Sequence, residues 1–529
     1  MPPSTTPMPN SPAPRKTHTA GSAAILLMLS ALLSGLLGLV RIKYVNYLFG
    51  AGAAQDAYRA AFILPNLLAY FLTGGAAAIS LITILSRYRE SGDEEGADRA
   101  LSVVLTTMFI VLATGVLLAE LAAPWYVLLA NAGFRTDPLR AHLCILLTRI
   151  ILPAQLFFFV GSCLSSRLQV RKIFIYQAGV PVIYNGGIIL GAVFLHRQIG
   201  VYSLAVGVLA GVICGSFLLN SVGAFRTGFR FTPRIDFKAP AFLEWLKLTL
   251  PLMIGVSLVM FDGVFLNYFA SIAKGGITLI GNAKDLFNAP FNVIGPAAGA
   301  ASLPFFASLF QQKRSFDFST SVARSVSRLF AVGMLVSAWM IALAPWLLNL
   351  FRGGKFNRAD VLSVTQLFQI LSITLAIWAV QGIYARAFYA ASDTKTPAIT
   401  GTVITILSIP MYWALFNARG LTGLAIASDI GIFVQTATLA ILLHRKRLVS
   451  LAHLEFAELS RALAAALLAF AAAYASAHAL VNAFPNLHGH KADLLLIAAG
   501  STAWAIVAFA VLLALRSKLP RQVLRLKPA

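Results

Sequence analysis

AAILLMLSALLSGLLGLV, residues 23–40, is an uncharged apolar stretch near the start of the chain, and LLLIAAGSTAWAIVAFAVLLAL, residues 494–515, is its counterpart near the end. A helix needs about 20 mostly apolar residues to cross the hydrocarbon core of a bilayer. About a dozen further stretches of this kind lie between the two. The sequence therefore predicts an all-α polytopic membrane protein with about 14 transmembrane helices, and it excludes a soluble protein.

The composition agrees, with 58% hydrophobic and 12% charged residues, but the net charge is +23. A strongly basic chain can bind nucleic acid, yet here the basic residues follow membrane topology. They are concentrated in alternate connections and in the C-terminal tail, for example at Arg87, Arg89, Arg99, Arg226, Arg230, Arg234, Arg445, Lys446, Arg447, Arg516 and Lys518. Positive charge collects on the cytoplasmic side of membrane proteins. This pattern predicts cytoplasmic termini, contact with membrane lipids and no nucleic-acid partner.

The spacing of the connections predicts the organisation of the chain. We expect a disordered cytoplasmic tail over residues 1–22, because it is rich in Pro, Ser and Thr. A long loop near the middle divides the helices into an N-lobe (residues 23–225, spans one to six) and a C-lobe (residues 226–443, spans seven to twelve) around a central cavity. Two further helices (residues 444–515) and a basic tail (residues 516–529) follow. Transporters are often built from such repeats, with the substrate site between them.

Two spans contain residues that disturb a helix. The second span carries Pro65-Asn66 and Gly74-Gly75, and the eighth carries Pro290, Gly295-Pro296 and Pro304. Proline removes a backbone donor and kinks a helix, and in a bilayer the freed carbonyl must be satisfied by protein or trapped water. We expect these spans to border a cavity, although proline and glycine are also common in ordinary membrane-helix packing.

Six polar residues within or beside the spans are the candidate substrate-binding residues. Charges at membrane depth are costly, so they usually face a cavity or a partner. The candidates are Arg41, Asp56, Arg59, Lys284, Asp285 and Asn288. Lys284 and Asn288 are four residues apart and share a helix face. We expect Arg41 and Lys284 to face one cavity between the lobes.

Each of these candidates has a structural alternative. Asp56 could cap the N-terminus of its own helix, Arg41 could extend to the lipid interface, and the cluster at 284–288 could lock two helices together. The three cysteines, Cys144, Cys163 and Cys214, fall inside apolar spans and are expected to be packing residues.

The sequence contains no motif for catalysis or for a cofactor. It has no G-x-x-x-x-G-K-[ST] phosphate-binding loop and no H-E-x-x-H metal motif. We therefore expect neither an enzyme nor a bound cofactor or metal. A transporter without a nucleotide site would be driven by an ion gradient or by the membrane potential, which supplies about 2.3 kcal/mol per charge at 100 mV.

Several short motifs resemble the MurJ/MviN family. The segments that carry the resemblance are Phe49-Gly50-Ala51-Gly52, Asp56-Ala57-Tyr58, Ala61-Phe62, Pro65-Asn66-Leu67-Leu68, Leu303-Pro304, Gly354-Lys355-Phe356, Arg386-Ala387-Phe388-Tyr389-Ala390 and Asp393-Thr394-Lys395-Thr396-Pro397. The most specific part is the last pair, after span ten. The resemblance covers roughly residues 25–450, with the last two helices agreeing in number and place.

The resemblance implies a function. Members of this family are lipid II flippases of bacterial peptidoglycan synthesis, with fourteen helices and a cationic cavity between two lobes. It implies an inner-membrane protein that moves lipid II by alternating access, with the last two helices forming a groove for the polyprenyl tail. We expect the protein to be a monomer. By position, Arg41 matches a headgroup-binding arginine and Asp56 a family aspartate. Lys284, Asp285 and Asn288 take the places of a charged set in span eight.

The chain departs from the family pattern at two positions. Gly35 stands where members usually have an arginine in span one, and Ala69 stands where another arginine follows the Pro-Asn-Leu-Leu run. A pyrophosphate in a cavity of low dielectric needs compensating positive charge. The sequence therefore leaves three alternatives to lipid II transport: an exporter of another polyprenyl-linked glycan or of drugs, a membrane scaffold, and an enzyme of envelope synthesis.

Overall fold

A computed structural model of the chain describes residues 20–72, 76–253, 258–485 and 489–520. The first part of the chain forms ten α-helices, with a short 3₁₀ turn at Ala132–Arg135 and a π-helical segment at Ile213–Leu218. The α-helices are α1 (Ala20–Phe49), α2 (Ala53–Ala60), α3 (Ile63–Leu72), α4 (Ala76–Glu90), α5 (Glu94–Ala130), α6 (Pro138–Ile151), α7 (Ala154–Val170), α8 (Ile175–Ile199), α9 (Tyr202–Val212) and α10 (Leu219–Arg226).

The rest of the chain is helical as well. It forms α11 (Pro240–Met253), α12 (Leu258–Ala270), α13 (Gly276–Gln311), α14 (Ser315–Asn349), α15 (Arg358–Ile373), α16 (Leu375–Ala390), α17 (Lys395–Arg445), α18 (Phe456–Ala483) and α19 (His490–Ala514). Among the described residues the only β-type pairing is an isolated bridge between Gly353 and Phe356. The predicted all-α polytopic fold is confirmed.

The predicted count of fourteen spans is not confirmed. In the described part of the chain, nine helices are long and apolar enough to cross a membrane, or ten if α15 and α16, bent by 43°, count as one. The predicted second and seventh spans each include residues outside the described ranges. Residues of the predicted eleventh and twelfth spans share α17, which contains Gly420 in the left-handed region (φ 57°). The number of spans stays a prediction.

Side-chain caps fix where several of these helices begin. The Asp93 carboxylate accepts a hydrogen bond from the Gly96 N–H at the start of α5. Asp137 does the same for α6, where a proline occupies the first turn. Asn357 and Asp360 form a reciprocal capping box at α15. Such caps satisfy donors that the first helical turn would otherwise leave unpaired.

The helices pack in two groups, and a further pair of helices packs on the outside of the second group. Helices α1 to α10 contact one another, and α12 to α17 do likewise. The helices α11 and α12, parts of one predicted span, divide between these groups: α11 packs on α4 and α5, whereas α12 packs on α17. Helices α18 and α19 pack on each other and on α14. One buried apolar cluster joins residues of both groups, including Ala57, Phe134 and Phe287.

The predicted second and eighth spans, which contain proline and glycine, differ in whether the helix breaks. The second span breaks at Ala61-Phe62, between α2 and α3, so Pro65 lies in the first turn of α3, where its missing N–H costs little. The expected hinge at Gly74-Gly75 falls on the undescribed residues 73–75. In the eighth span, α13 runs continuously through its prolines from Gly276 to Gln311, so they do not end the helix.

Candidate functional site

A cavity of about 440 Å³ lies between the two helix groups. Its walls come from α1, α2, α3 and α8 on one side and from α12 and α13 on the other. The lining residues are Arg41, Ile42, Val45, Gln55, Tyr58, Arg59, Phe62, Asn66, Tyr184, Asn267, Ile277, Gly281 and Asp285. Ligand sites commonly have this size and this mixture of aromatic and polar walls.

The charged groups of the cavity leave one positive charge unbalanced. Arg59 and Asp285 form an ion pair of 3.0 Å across the helix groups, with side chains that are 19% and 38% exposed. Arg41 is half-buried in the same wall. Among the described residues, no hydrogen bond or ion pair engages its guanidinium. Two guanidiniums against one carboxylate make the cavity cationic.

A chain of hydrogen bonds holds Arg59 in place. Its guanidinium donates to the Asn282 side-chain oxygen at 2.5 Å. The Asn282 amide donates to Asn46 at 3.1 Å, and Gln55 donates to the same Asn46 oxygen at 2.7 Å. A Cβ at Gly281 would lie 2.6 Å from the Arg59 guanidinium. The glycine therefore makes room for the cation against α13.

Asp56 joins α2 to the start of α13. Its carboxylate is fully buried and accepts hydrogen bonds from the Gly275 N–H at 2.6 Å, the Thr278 N–H at 2.9 Å and the Thr278 hydroxyl at 2.8 Å. The N-cap of α2 is Gly52, so the alternative that Asp56 caps its own helix is wrong. Instead it caps α13, whose own N-cap, Gly275, has no side chain to do so.

Further contacts join the two helix groups at the same end of the molecule. The Arg140 guanidinium lies 3.6 Å from the Asp56 carboxylate and donates to the Ser271 carbonyl at 3.1 Å. The Gly133 N–H donates to the Ser271 hydroxyl at 2.9 Å. We call Asp56, Arg140, Ser271, Gly275 and Thr278 together the α2–α13 latch. It ties the two helix groups on the side that the charge pattern predicts to be periplasmic.

Lys284 lies in a separate cluster within the second helix group. Its ammonium is 2.8 Å from the Asp262 carboxylate and 4.1 Å from the centre of the Trp378 ring. It also donates to the Ser428 hydroxyl at 3.3 Å. The Tyr412 hydroxyl donates to Asp262 at 2.5 Å. These contacts connect α12, α13, α16 and α17 and fit the alternative in which Lys284 locks helices together.

The structure brings three of the six predicted residues into the cavity. Arg41, Arg59 and Asp285 line it, whereas Asp56 belongs to the α2–α13 latch. The expectation that Arg41 and Lys284 share the cavity is wrong. Successive helix residues point about 100° apart, so Lys284 faces Asp262 while its neighbour Asp285 faces the cavity. Asn288 is half-buried and is not among the residues that line the cavity. Whether any of the six binds substrate stays a prediction.

Sequence reasoning missed the uncharged members of the site. Asn46, Gln55 and Asn282 had no charge to mark them, although Asn282 and Asp285 are three apart and therefore share a helix face. In the described part of the chain, no group of three or more His, Cys, Asp or Glu side chains could hold a metal. Cys144 and Cys163 are buried and Cys214 is exposed, all as free thiols.

Comparison with known proteins gives a consistent result. The family model of the lipid II flippase MurJ matches residues 45–498. The probable lipid II flippase MurJ of Vibrio cholerae is 26% identical over 430 residues, which cover 79% of this chain and 81% of that protein. The lipid II flippase MurJ of Burkholderia cenocepacia is 27% identical over 403 residues, covering 74% and 78%.

Solved structures with similar folds are also transporters. A structure described as lipid II flippase MurJ in an inward closed conformation superposes with a TM-score of 0.74 at 20% identity, covering 93% of this chain and 99% of that one. An inward-facing multidrug resistance MATE family transporter of the MOP superfamily gives a TM-score of 0.64 at 15% identity, covering 80% and 98%. At these identities the likeness concerns the fold alone.

Proposed function

The chain belongs to the MurJ family of lipid II flippases, and we propose that it carries lipid II from the cytoplasmic to the outer leaflet of the bacterial inner membrane. The observation that supports this most directly is a cationic cavity between two helix groups in a chain that matches the family over residues 45–498. The protein is a multi-pass membrane protein, and its relatives are transporters. We infer a transporter without catalytic activity that works as a monomer.

Arg41 is the proposed contact for the pyrophosphate of the substrate. Its guanidinium lines the cavity without an ion pair among the described residues, so an incoming phosphate would supply the missing counter-charge. A guanidinium can hold a phosphate through two parallel hydrogen bonds. Arg59 is already paired with Asp285 and would orient the headgroup only if that pair rearranges.

Alternating access requires one closed side and one that can open. The α2–α13 latch closes the predicted periplasmic side with hydrogen bonds to a buried carboxylate. Breaking the latch would let the helix groups separate on that side and release the headgroup. We propose that α18 and α19, which pack on the outside of α14, guide the polyprenyl tail through lipid while the headgroup crosses.

The proposed orientation places both termini in the cytoplasm, because the basic residues are concentrated in alternate connections. A reporter that is active only in the periplasm, fused after Ala529, is expected to be inactive. A matched fusion in the connection between α5 and α6, at Thr136, is expected to be active. The reverse result would invert the topology and place the α2–α13 latch on the cytoplasmic side.

Complementation tests the function itself. The chain is expressed in a strain whose own lipid II flippase can be depleted, and growth and the level of lipid-linked precursor are followed. We expect the wild type to restore growth and normal precursor turnover, and the variant with Arg41→Ala to accumulate precursor at an equal protein level. A matched variant, Arg197→Gln, changes an exposed arginine away from the cavity and should behave like the wild type. Failure of the wild-type chain at normal membrane levels would overturn lipid II as the substrate.

A further inference from the structure

The polar contact between α2 and α13 continues from the α2–α13 latch into the central cavity. On α2, Asp56 and Arg59 are three residues apart. On α13, Thr278, Asn282 and Asp285 follow at intervals of four and three. Side chains at these spacings lie on one face of a helix. Asp56 accepts hydrogen bonds from Thr278. One turn further along, Arg59 donates to Asn282 and Asp285, and we call these three residues the inner contact.

The exposure of the side chains increases along this face toward the cavity. In the latch, Asp56 and Thr278 are fully buried. In the inner contact Asn282 is also buried, whereas Arg59 and Asp285 are partly exposed and line the cavity. A ligand that enters the cavity therefore reaches the inner contact but not the latch.

The ion pair of the inner contact does not use the full hydrogen-bonding capacity of Arg59. One terminal nitrogen donates to a single oxygen of Asp285 at 3.0 Å, and the other donates to Asn282 at 2.5 Å. The third nitrogen, Nε, is buried and has no hydrogen-bond acceptor among the described residues. A phosphate can bind a guanidinium through two parallel hydrogen bonds. It can therefore replace the single hydrogen bond to Asp285.

The charges in the cavity favour this exchange. Arg41 and Arg59 line the same cavity, so a diphosphate has one guanidinium for each of its two phosphate groups. Such an anion also lies close to the Asp285 carboxylate, and like charges repel each other more strongly in a protein cavity than in bulk water. A bound diphosphate thus attracts Arg59 and repels Asp285.

Helix α2 connects the inner contact to the latch. Asp56 and Arg59 belong to one short helix, Ala53–Ala60, so a movement of Arg59 away from α13 also moves Asp56. From these contacts we propose that Asp285 competes with the diphosphate of the substrate for Arg59, and that its displacement opens the α2–α13 contact from the cavity side. Asp285 is then a positioning residue that acts through Arg59 and links occupancy of the cavity to opening of the latch. This role rests on the proposed function, because it takes a diphosphate as the ligand.

Binding of inorganic pyrophosphate to the purified full chain tests the competition, with isothermal titration calorimetry as the measurement. Asp285→Asn removes the competing charge with little change of shape. We expect this variant to bind pyrophosphate at least about tenfold more tightly than the wild type. Adding Arg59→Gln should abolish the gain. Asp317→Asn is a matched control that removes an aspartate from an exposed ion pair with Arg314, and it should bind pyrophosphate like the wild type.

Hydrogen exchange tests the link to the latch. The Gly275 and Thr278 N–H groups donate to Asp56 while the latch is closed, so their exchange rate reports its opening. Saturating pyrophosphate should increase this rate at least about threefold in the wild type. In Arg59→Gln it should leave the rate at its value without pyrophosphate. A ligand that only stabilised the closed form would slow the exchange.

Two results would overturn the proposal. One is binding of pyrophosphate by Asp285→Asn that is no tighter than binding by the wild type, which includes no binding by either. The other is an exchange rate at Gly275 and Thr278 that pyrophosphate does not increase in the wild type. Either result can occur in a chain that restores growth in the complementation test, so it would refute the role of Asp285 and leave lipid II as the substrate. Failure of complementation would refute the substrate and leave the competition at Arg59 to be decided by these two measurements.

Discussion

Asp56→Asn should open the predicted periplasmic side of the protein. In the wild type the buried carboxylate accepts three hydrogen bonds from α13 and lies 3.6 Å from Arg140. Hydrogen bonds to a charged group contribute roughly 1.5–3 kcal/mol each, and breaking a buried charge pair costs roughly 3–5 kcal/mol. Asparagine keeps one oxygen but turns an N–H₂ group toward donors. A loss of about 3 kcal/mol from the closed form corresponds to about a 150-fold shift of the equilibrium.

Thiol labelling measures this shift. Asn267 lines the cavity, so Asn267→Cys reports access to it, in a background where the exposed Cys214 is serine. A membrane-impermeant maleimide is added to spheroplasts, and the labelling rate is compared with and without Asp56→Asn. The rate follows the open fraction, so it should rise by about two orders of magnitude. Thr278→Val removes one of the three hydrogen bonds and should give roughly a tenfold increase.

One outcome would refute this account of the latch. If Asp56→Asn is folded and present at normal levels but its labelling rate equals that of the parent, Asp56 does not hold the predicted periplasmic side closed. A rise for Thr278→Val without one for Asp56→Asn would point to the hydroxyl alone.

Three further predictions concern other ion pairs and the cavity cation. Arg41→Lys should retain part of the transport that Arg41→Ala loses, because lysine offers phosphate only a point charge; equal precursor accumulation in both variants would argue against a phosphate contact. Lys284→Met should lower the free energy of unfolding by roughly 3–5 kcal/mol, since it leaves Asp262 buried without its partner, and Lys284→Met with Asp262→Asn should recover part of it in detergent unfolding measurements. In the connection between α16 and α17, partial burial opposes ionisation of Asp393, but the hydrogen bonds from Lys446 and from Thr396 outweigh it and lower the pKa of Asp393 to about 2. This pair should therefore stabilise the protein fully above pH 3.8 and lose its effect as the pH falls toward 2, a dependence that Asp393→Asn should abolish in melting curves.

The fold could be predicted from the sequence because two constraints allow few structures. A span must match the thickness of the hydrocarbon core, and every backbone N–H and C=O group in it must be hydrogen-bonded within the protein. Uncharged stretches such as residues 23–40 and 494–515 can only be helices in a bilayer. Arg59 and Asp285 were also recognisable, because charges at membrane depth need partners. Their pairing with each other, at 3.0 Å, depends on how two distant helices meet, which no local pattern encodes.

The errors have a common physical cause. Position along a helix gives the relative direction of neighbouring side chains, but it does not give the rotation of the helix about its axis. The rotation of α13 places Lys284 toward Asp262 and Asp285 toward the cavity, so the expectation of one shared cavity failed. Asp56 was considered as a cap of its own helix, whereas the groups that donate hydrogen bonds to it lie more than 200 residues away, at the start of α13.

Because Asp56 caps α13, water takes part in the opening of the predicted periplasmic side. While the latch is closed, the Gly275 and Thr278 N–H groups are satisfied by the carboxylate. Once the helix groups part, these donors must find water, because an unsatisfied buried amide costs roughly 1–3 kcal/mol. Opening without water is therefore disfavoured, and the α2–α13 latch can open only as fast as water reaches these N–H groups. Excluded osmolytes, which favour states with less wetted surface, should hold this end of the protein shut.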